Sequence, residues 1–150
     1  MRVHRICRSG FDTLDGEGAR LNGGRWSTPR KAIVYTAGSL ALAALEYLVH
    51  VDPEDVPGDL VALTIEIPDE IDPVVVSDGT LPGGWEQLAD HPACKEAGDK
   101  WRQTGATLVL QVLAAPIPQE SNYLLNPTHD EMRKVKVIHK RPFSFDPRLL

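Results

Sequence analysis

Glu46 is the only Asp, Glu, Lys or Arg between Ala32 and Val51. A carboxylate in so apolar a stretch is expected to be partly buried, and burial costs several kcal/mol unless the group is paired or hydrogen-bonded. Two readings stand side by side: a helix residue that faces water between apolar ridges, or the acid of a site. Arg25 follows Gly23 and Gly24 and precedes Trp26. Glycines there would let a guanidinium approach a ligand closely, and a guanidinium matches phosphate in a bidentate fork. The alternative is a surface arginine stacked on Trp26. Arg5, in the opening RVHRIC, could line a cleft or sit on a solvated edge strand. Tyr35 ends the apolar run before the segment that carries Glu46, as a core tyrosine or as part of the same mouth.

Other chemistries lack their residues. Glu46 and His50 are spaced i,i+4, which could put two metal ligands on one helix face, but no further His or carboxylate cluster completes a site, and no metal is expected. The five histidines form no HExxH, and neither GxGxxG nor GxxxxGK[ST] occurs. Any dinucleotide would therefore be bound without a Rossmann fingerprint. There is no GxSxG nucleophile elbow either.

The elements that must position these residues follow from pattern. RVHRIC reads as a first strand, with Val3 and Arg5 on one side and His4 and Ile6 on the other. The segment from Ser9 to Trp26 holds five glycines and reads as a long irregular connection. AIVYT (32–36) reads as a buried strand. Ser39 then caps a helix running to about His50, and Pro53 and Pro57 end it. LVALTIEI (60–67) alternates apolar and polar and predicts a strand. Residues 85–103 read as a helical region broken at Pro92, and ATLVLQVL (106–113) as another strand. APIPQESNYLLNP is expected to be loop, and VKVIH (135–139) a last strand. The sum is one α+β domain over residues 1–150, with several short strands and few helices.

With 150 residues the chain can bury a core without disulfides, and Cys7 and Cys94 lack a CxxC spacing. That usage fits a reducing compartment. The N-terminus shows no signal-like apolar region, and the uncharged apolar run Ala32–Leu45 is 14 residues, short of a membrane span. A cytoplasmic protein without membrane contact is expected. The net charge of −5 argues against direct nucleic-acid binding.

Four segments in order, HRI (4–6), GEGARLNGGRWS (16–27), IVYTAGSLALAALEYLVH (33–50) and NYLLNP (122–127), strongly resemble the RES-domain family, and the resemblance covers nearly the whole chain. It implies a compact fold related to ADP-ribosyltransferases and a toxin that consumes NAD+ as its substrate, with no other cofactor. The implied partner is an Xre-type helix-turn-helix antitoxin that occludes the active site. The family's functional positions fall on Arg5, Arg25, Tyr35 and Glu46. On that reading Glu46 serves the ribose, the two arginines hold the diphosphate, and Tyr35 stacks on nicotinamide or its ribose. Where the family commonly has Pro-Ser-Ala, this chain has Leu113, Ala114 and Ala115, which leaves Ser121 and Asn122 as further candidates. The implied acceptor is water or phosphate. A mono-ADP-ribosyltransferase with a protein target, and a non-catalytic nucleotide- or antitoxin-binding module, are the alternatives.

Overall fold

The computed structural model describes residues Met1–Leu150. Its strands are β1 (Arg2–Arg8), β2 (Val34–Ala37), β3 (Leu60–Glu66), β4 (Val74–Val75), β5 (Val109–Leu113), β6 (Ser121–Leu125) and β7 (Lys136–Pro142). The helices are α1 (Glu17–Asn22), α2 (Leu40–Leu48) and α3 (Pro92–Thr104). All seven strands form one sheet in the order β4-β5-β6-β2-β1-β3-β7, antiparallel except for β4 with β5. This is the α+β organisation that the sequence predicts.

Pleating divides the core. On one face Val3 and Cys7 of β1 pack with Val61, Leu63 and Ile65 of β3 and with Val34, Val109 and Leu125. On the other, Ile6, Ala37 and Leu60 lie beneath Leu42 and Ala43 of α2. The β5–β6 half of that second face carries Leu110, Val112 and Leu124 under Trp101 and Cys94 of α3. Two helices thus cover one face side by side, and the strip between them is where side chains can meet a ligand.

The helix boundaries have local causes. The hydroxyl of Ser39 accepts from the Leu42 N–H at 3.1 Å, which is the N-cap read from the sequence. α2 ends at Leu48, two residues short of the predicted end. Residues 85–103 resolve into a 3-10 turn, Trp85–Gln87, and α3, which starts on Pro92 at its first turn, where the missing N–H is no loss.

Two expectations fail. APIPQESNYLLNP is not all loop, because Ser121–Leu125 is the sheet's third strand, paired with β5 and β2. Its prolines flank the strand instead of interrupting it, and two neighbours supply the order that its own pattern lacks. The glycine-rich segment also contains α1. There Asp15 accepts from the Glu17 N–H at 3.0 Å, and Gly16 sits at φ 70°, pressed so close to the Ile33 backbone that a Cβ would collide.

Candidate functional site

A cleft of about 670 Å³ opens on the helix-covered face, a size ordinary for a small-molecule site. Arg5, Arg25, Tyr35, Glu46 and Asn122 all border it. Strand pairing explains the floor. His4 of β1 is paired with Ala37 of β2, and Ala37 with Asn122 of β6, so these three form one row across the sheet with their side chains on the same face. Tyr35, two residues before Ala37, shares that face. Glu46 comes from α2 above, half-buried, and its Oε1 accepts from Asn122 Nδ2 at 2.6 Å. A charge-assisted bond of that kind is a reason for a carboxylate to stay in an apolar helix.

Arg5 is placed differently. By alternation it belongs to the Val3 and Cys7 face, opposite His4. It is nonetheless among the residues that border the cleft, beside His4, the one residue of β1 paired with β2. Its Nη1 donates to the Thr13 carbonyl at 3.2 Å, tying β1 to the connection that ends in Arg25.

Arg25 is set by partners sixty residues away. Its Nη1 donates to the carbonyls of Leu88, at 2.8 Å, and Trp85, at 3.3 Å, and the guanidinium carbon lies 5.8 Å from the Trp85 ring centroid. The aromatic against the arginine is therefore Trp85, not the adjacent Trp26. Trp26 is buried instead, with its ring centroid 5.8 Å from that of Trp85.

The turn that presents Arg25 is braced from two sides. Tyr35 Oη accepts from the Trp26 N–H at 3.2 Å and shares a hydrogen bond with Ser27 Oγ at 2.8 Å. Burial pushes this phenol up to about 12, against the pull of its Ser27 and Trp26 bonds, so it is neutral at ordinary pH. Gly24 is required here, because a Cβ would stand 2.6 Å from Tyr35 Oη. From below, α3 aligns Lys95, Asp99 and Arg102 on one helical face. Lys95 donates to the Gly24 carbonyl at 2.6 Å, Asp99 accepts from the Thr28 N–H at 3.0 Å, and Arg102 donates to the Ala32 carbonyl at 2.8 Å. Gly98 lies on the same side, with the Trp26 carbonyl packed where its side chain would be.

Ser121 does not join the others. Its Oγ accepts from Gln111 Nε2 at 3.0 Å, and it borders a separate shallow hollow, as expected for the pleat neighbour of Asn122. Ala114 is fully buried against the cluster beneath α2. His4, beside Arg5 in HRI, also borders the cleft, though nothing in its spacing marks it as a site residue. Its two paired-strand neighbours are what reveal it, and no periodicity carries that signal. His50 also borders the cleft, one helical turn beyond Glu46. No group of three or more His, Cys, Asp or Glu is arranged to hold a metal ion. No helix is long and apolar enough to cross a membrane.

Known proteins agree with this architecture. The RES domain family matches residues 2–146. A Prs ADP-ribosylating toxin from Sphingobium sp. (strain YBL2) is 37% identical over 141 residues, covering 93% of this chain and 88% of its own. A Toxin Res from Photorhabdus laumondii is 34% identical over 154 residues, covering 100% of this chain and 97% of its own. Among solved structures, that of the M. tuberculosis MbcT–MbcA toxin–antitoxin complex superposes with a TM-score of 0.80 at 18% identity, covering 99% of this chain and 85% of that one, and shares its fold. With its sequence matched almost from end to end, this chain belongs to the RES-domain family.

Proposed function

We propose that this chain is a toxin of a toxin–antitoxin pair that breaks the nicotinamide–ribose bond of NAD+. The observation that carries this reading is that one acidic residue, Glu46, and two arginines, Arg5 and Arg25, border a single cleft. Cleavage of that bond builds positive charge on the ribose as neutral nicotinamide leaves, in an oxocarbenium-like state. Glu46, held by Asn122, would meet the charge or a ribose hydroxyl. Arg25 and Arg5 would hold the diphosphate, and the Tyr35 ring would pack beside nicotinamide or its ribose while its hydroxyl holds the arginine turn. Relatives called Toxin Res, and a shared fold with the toxin of a solved toxin–antitoxin complex, support the toxin role and an antitoxin as partner. An Xre-type helix-turn-helix protein is the partner that the family resemblance implies.

Water or phosphate is the acceptor favoured here. The relative named Prs ADP-ribosylating toxin favours a second reading, in which a protein side chain accepts ADP-ribose. Products from NAD+ and the purified chain, with and without phosphate and then with cell lysate, are separated by mass spectrometry. Free ADP-ribose, ADP-ribose 1″-phosphate or a modified protein each selects one acceptor. Glu46→Gln is expected to fold normally and to lose roughly 10²-fold or more of NAD+ turnover, since one preorganised electrostatic contact is worth about 2.7–4 kcal/mol. Unchanged turnover in that variant removes Glu46 from the chemistry, and NAD+ left intact by the wild type overturns the proposal.

A further inference from the structure

The rim of the cleft beside Arg25 is a stretch of chain with little of its own to hold it. Ala89 and Asp90 border the cleft, yet residues 87–90 are all exposed and residues 88–90 make no backbone–backbone hydrogen bond. Both ends of the stretch are fixed. On one side the Gln87 N–H donates to the Gly84 carbonyl at 3.1 Å, and Trp85 is buried against Trp26. On the other, His91 Nδ1 accepts from the Ala93 N–H at 3.1 Å and caps α3. Between those ends two cations supply the polar ties. Arg25 Nη1 donates to the Leu88 carbonyl at 2.8 Å, and Lys95 Nζ stands 3.3 Å from Asp90 Oδ1. Asp90 lies almost wholly in solvent, where an ion pair contributes little, so the guanidinium is the main pin.

We propose that residues 88–90 are a hinged wall of the cleft, docked by Arg25, so that the position of the wall and the readiness of Arg25 to hold an anion are one equilibrium. A guanidinium carries five N–H donors. The two on Nη1 serve the Leu88 and Trp85 carbonyls, and the Nε–Nη2 edge, which matches a phosphate in a bidentate fork, takes no part in those two bonds. Wall and anion therefore need not compete. Held by two carbonyls and the Trp85 ring, the side chain has lost its rotamer freedom before an anion arrives. By reciprocity, an anion that favours this orientation of the guanidinium favours the docked wall by the same factor. The anion is the diphosphate of the reading given above, on which the inference rests for its substrate, whereas the docking of the wall by Arg25 stands without it.

Brief chymotrypsin digestion of the full chain reads the wall directly, because Leu88 offers a cleavable bond inside it and the exposed Phe11 a reference outside it. The two cuts are scored as a ratio by mass spectrometry, without ligand, with inorganic pyrophosphate and with ADP-ribose. Arg25→Lys keeps the charge but cannot reach both carbonyls, and without ligand it is expected to raise the Leu88 ratio about tenfold, since cleavage tracks the population of the open wall. Asp90→Asn, which cuts the weaker tie alone, should raise it about twofold to fivefold, and only at low salt. Pyrophosphate or ADP-ribose should lower the wild-type ratio about fivefold or more and leave that of Arg25→Lys within about twofold. An Arg25→Lys ratio equal to that of wild type, or a wild-type ratio that neither probe lowers, overturns the inference. A wild type that leaves NAD+ intact, while pyrophosphate still guards the wall and Arg25→Lys still frees it, sinks the functional reading and leaves the wall standing.

Discussion

Tyr35→Phe isolates what the phenol oxygen does, because the ring stays and only one atom leaves. That oxygen holds the Trp26 N–H, at 3.2 Å, and the Ser27 hydroxyl, at 2.8 Å, and both residues are buried, Ser27 at 0% and Trp26 at 2% exposure. Leaving a buried polar group unpartnered costs about 1–3 kcal/mol. The Trp26 bond is long and the Ser27 hydroxyl can rotate, so each falls near the low end of that range, about 1–1.5 kcal/mol, and the sum is about 2–3 kcal/mol. With a urea m-value of about 2 kcal/mol/M, the denaturation midpoint should fall by about 1 M at unchanged slope. The shifted phenol adds a pH signature. Its folded value, about 12, lies above the ordinary 10.0, so its contribution is complete below pH 10 and is lost as pH rises towards 12, where the unfolded chain has released the proton and the folded chain still holds it. The gap between wild type and variant should therefore narrow across that window. A midpoint shift under about 0.25 M at pH 7, or a gap that widens above pH 10, would refute the claim that this hydroxyl pins the arginine turn.

Gly24→Ala pushes a methyl into the same phenol ring, 2.6 Å from Oη and 2.7 Å from Cζ, so a loss of about 1–3 kcal/mol is expected, and most of it should persist in the Tyr35→Phe background, where Cζ remains. A loss confined to the wild-type background would place the strain on the hydroxyl alone. Gly98→Ala drives α3 into the Trp26 carbonyl, and its cost, about 3 kcal/mol or more, should come with a raised KM for NAD+, because Lys95 and Asp99 of that helix hold the Arg25 turn. Urea denaturation and steady-state kinetics on one preparation decide it. His4 is held below the usual histidine value of 6.5 by burial first and then by the positive charge of Arg2. Its share of stability is thus present above pH 6.5 and lost as the pH falls, since the unfolded chain takes up the proton first. Denaturation midpoints of wild type and His4→Phe between pH 7.5 and 5.5 should converge as the solution is acidified, and parallel curves would contradict it.

What the sequence made legible was local. LVALTIEI alternates because one face of β3 meets the apolar core while the other is partly open, and the Ser39 cap reads directly because capping is settled within four residues. Non-local partners were out of reach. Trp85 follows Arg25 by sixty residues, and no pattern near either residue announces their contact. Lys95, Asp99 and Arg102 look like ordinary solvated helix charges, yet they face backbone groups of residues 24–32, which pattern alone cannot distinguish from water. The sequence of β6 reads as loop because its flanking prolines mark an irregular segment and its five residues are too few to show a period, whereas two adjacent strands impose the ladder on it.

The choice between Ser121 and Asn122 shows most plainly why spacing could bring the site close without fixing it. The two residues are adjacent, both polar and both half-buried, so composition treats them alike. A strand sends neighbours to opposite faces, and a shift of one residue in the pairing would exchange them. That parity is set by Ala37 standing opposite Asn122, and in turn by His4 standing opposite Ala37, so two successive pairings, β1 with β2 and β2 with β6, decide which side chain reaches Glu46. The resemblance to RES domains supplied Arg5, Arg25, Tyr35 and Glu46 as positions, whereas the spacing of each left its structural and functional readings open. Folding brings them to one cleft by two different routes. Tyr35 and Glu46 arrive through a capped strand–helix connection that is nearly complete in itself. Arg25 arrives on a turn closed by the Gly24–Ser27 backbone pair and braced by Tyr35 above and α3 below, which is why the residues that hold that turn, and not the arginine alone, should govern how well the cleft keeps a diphosphate.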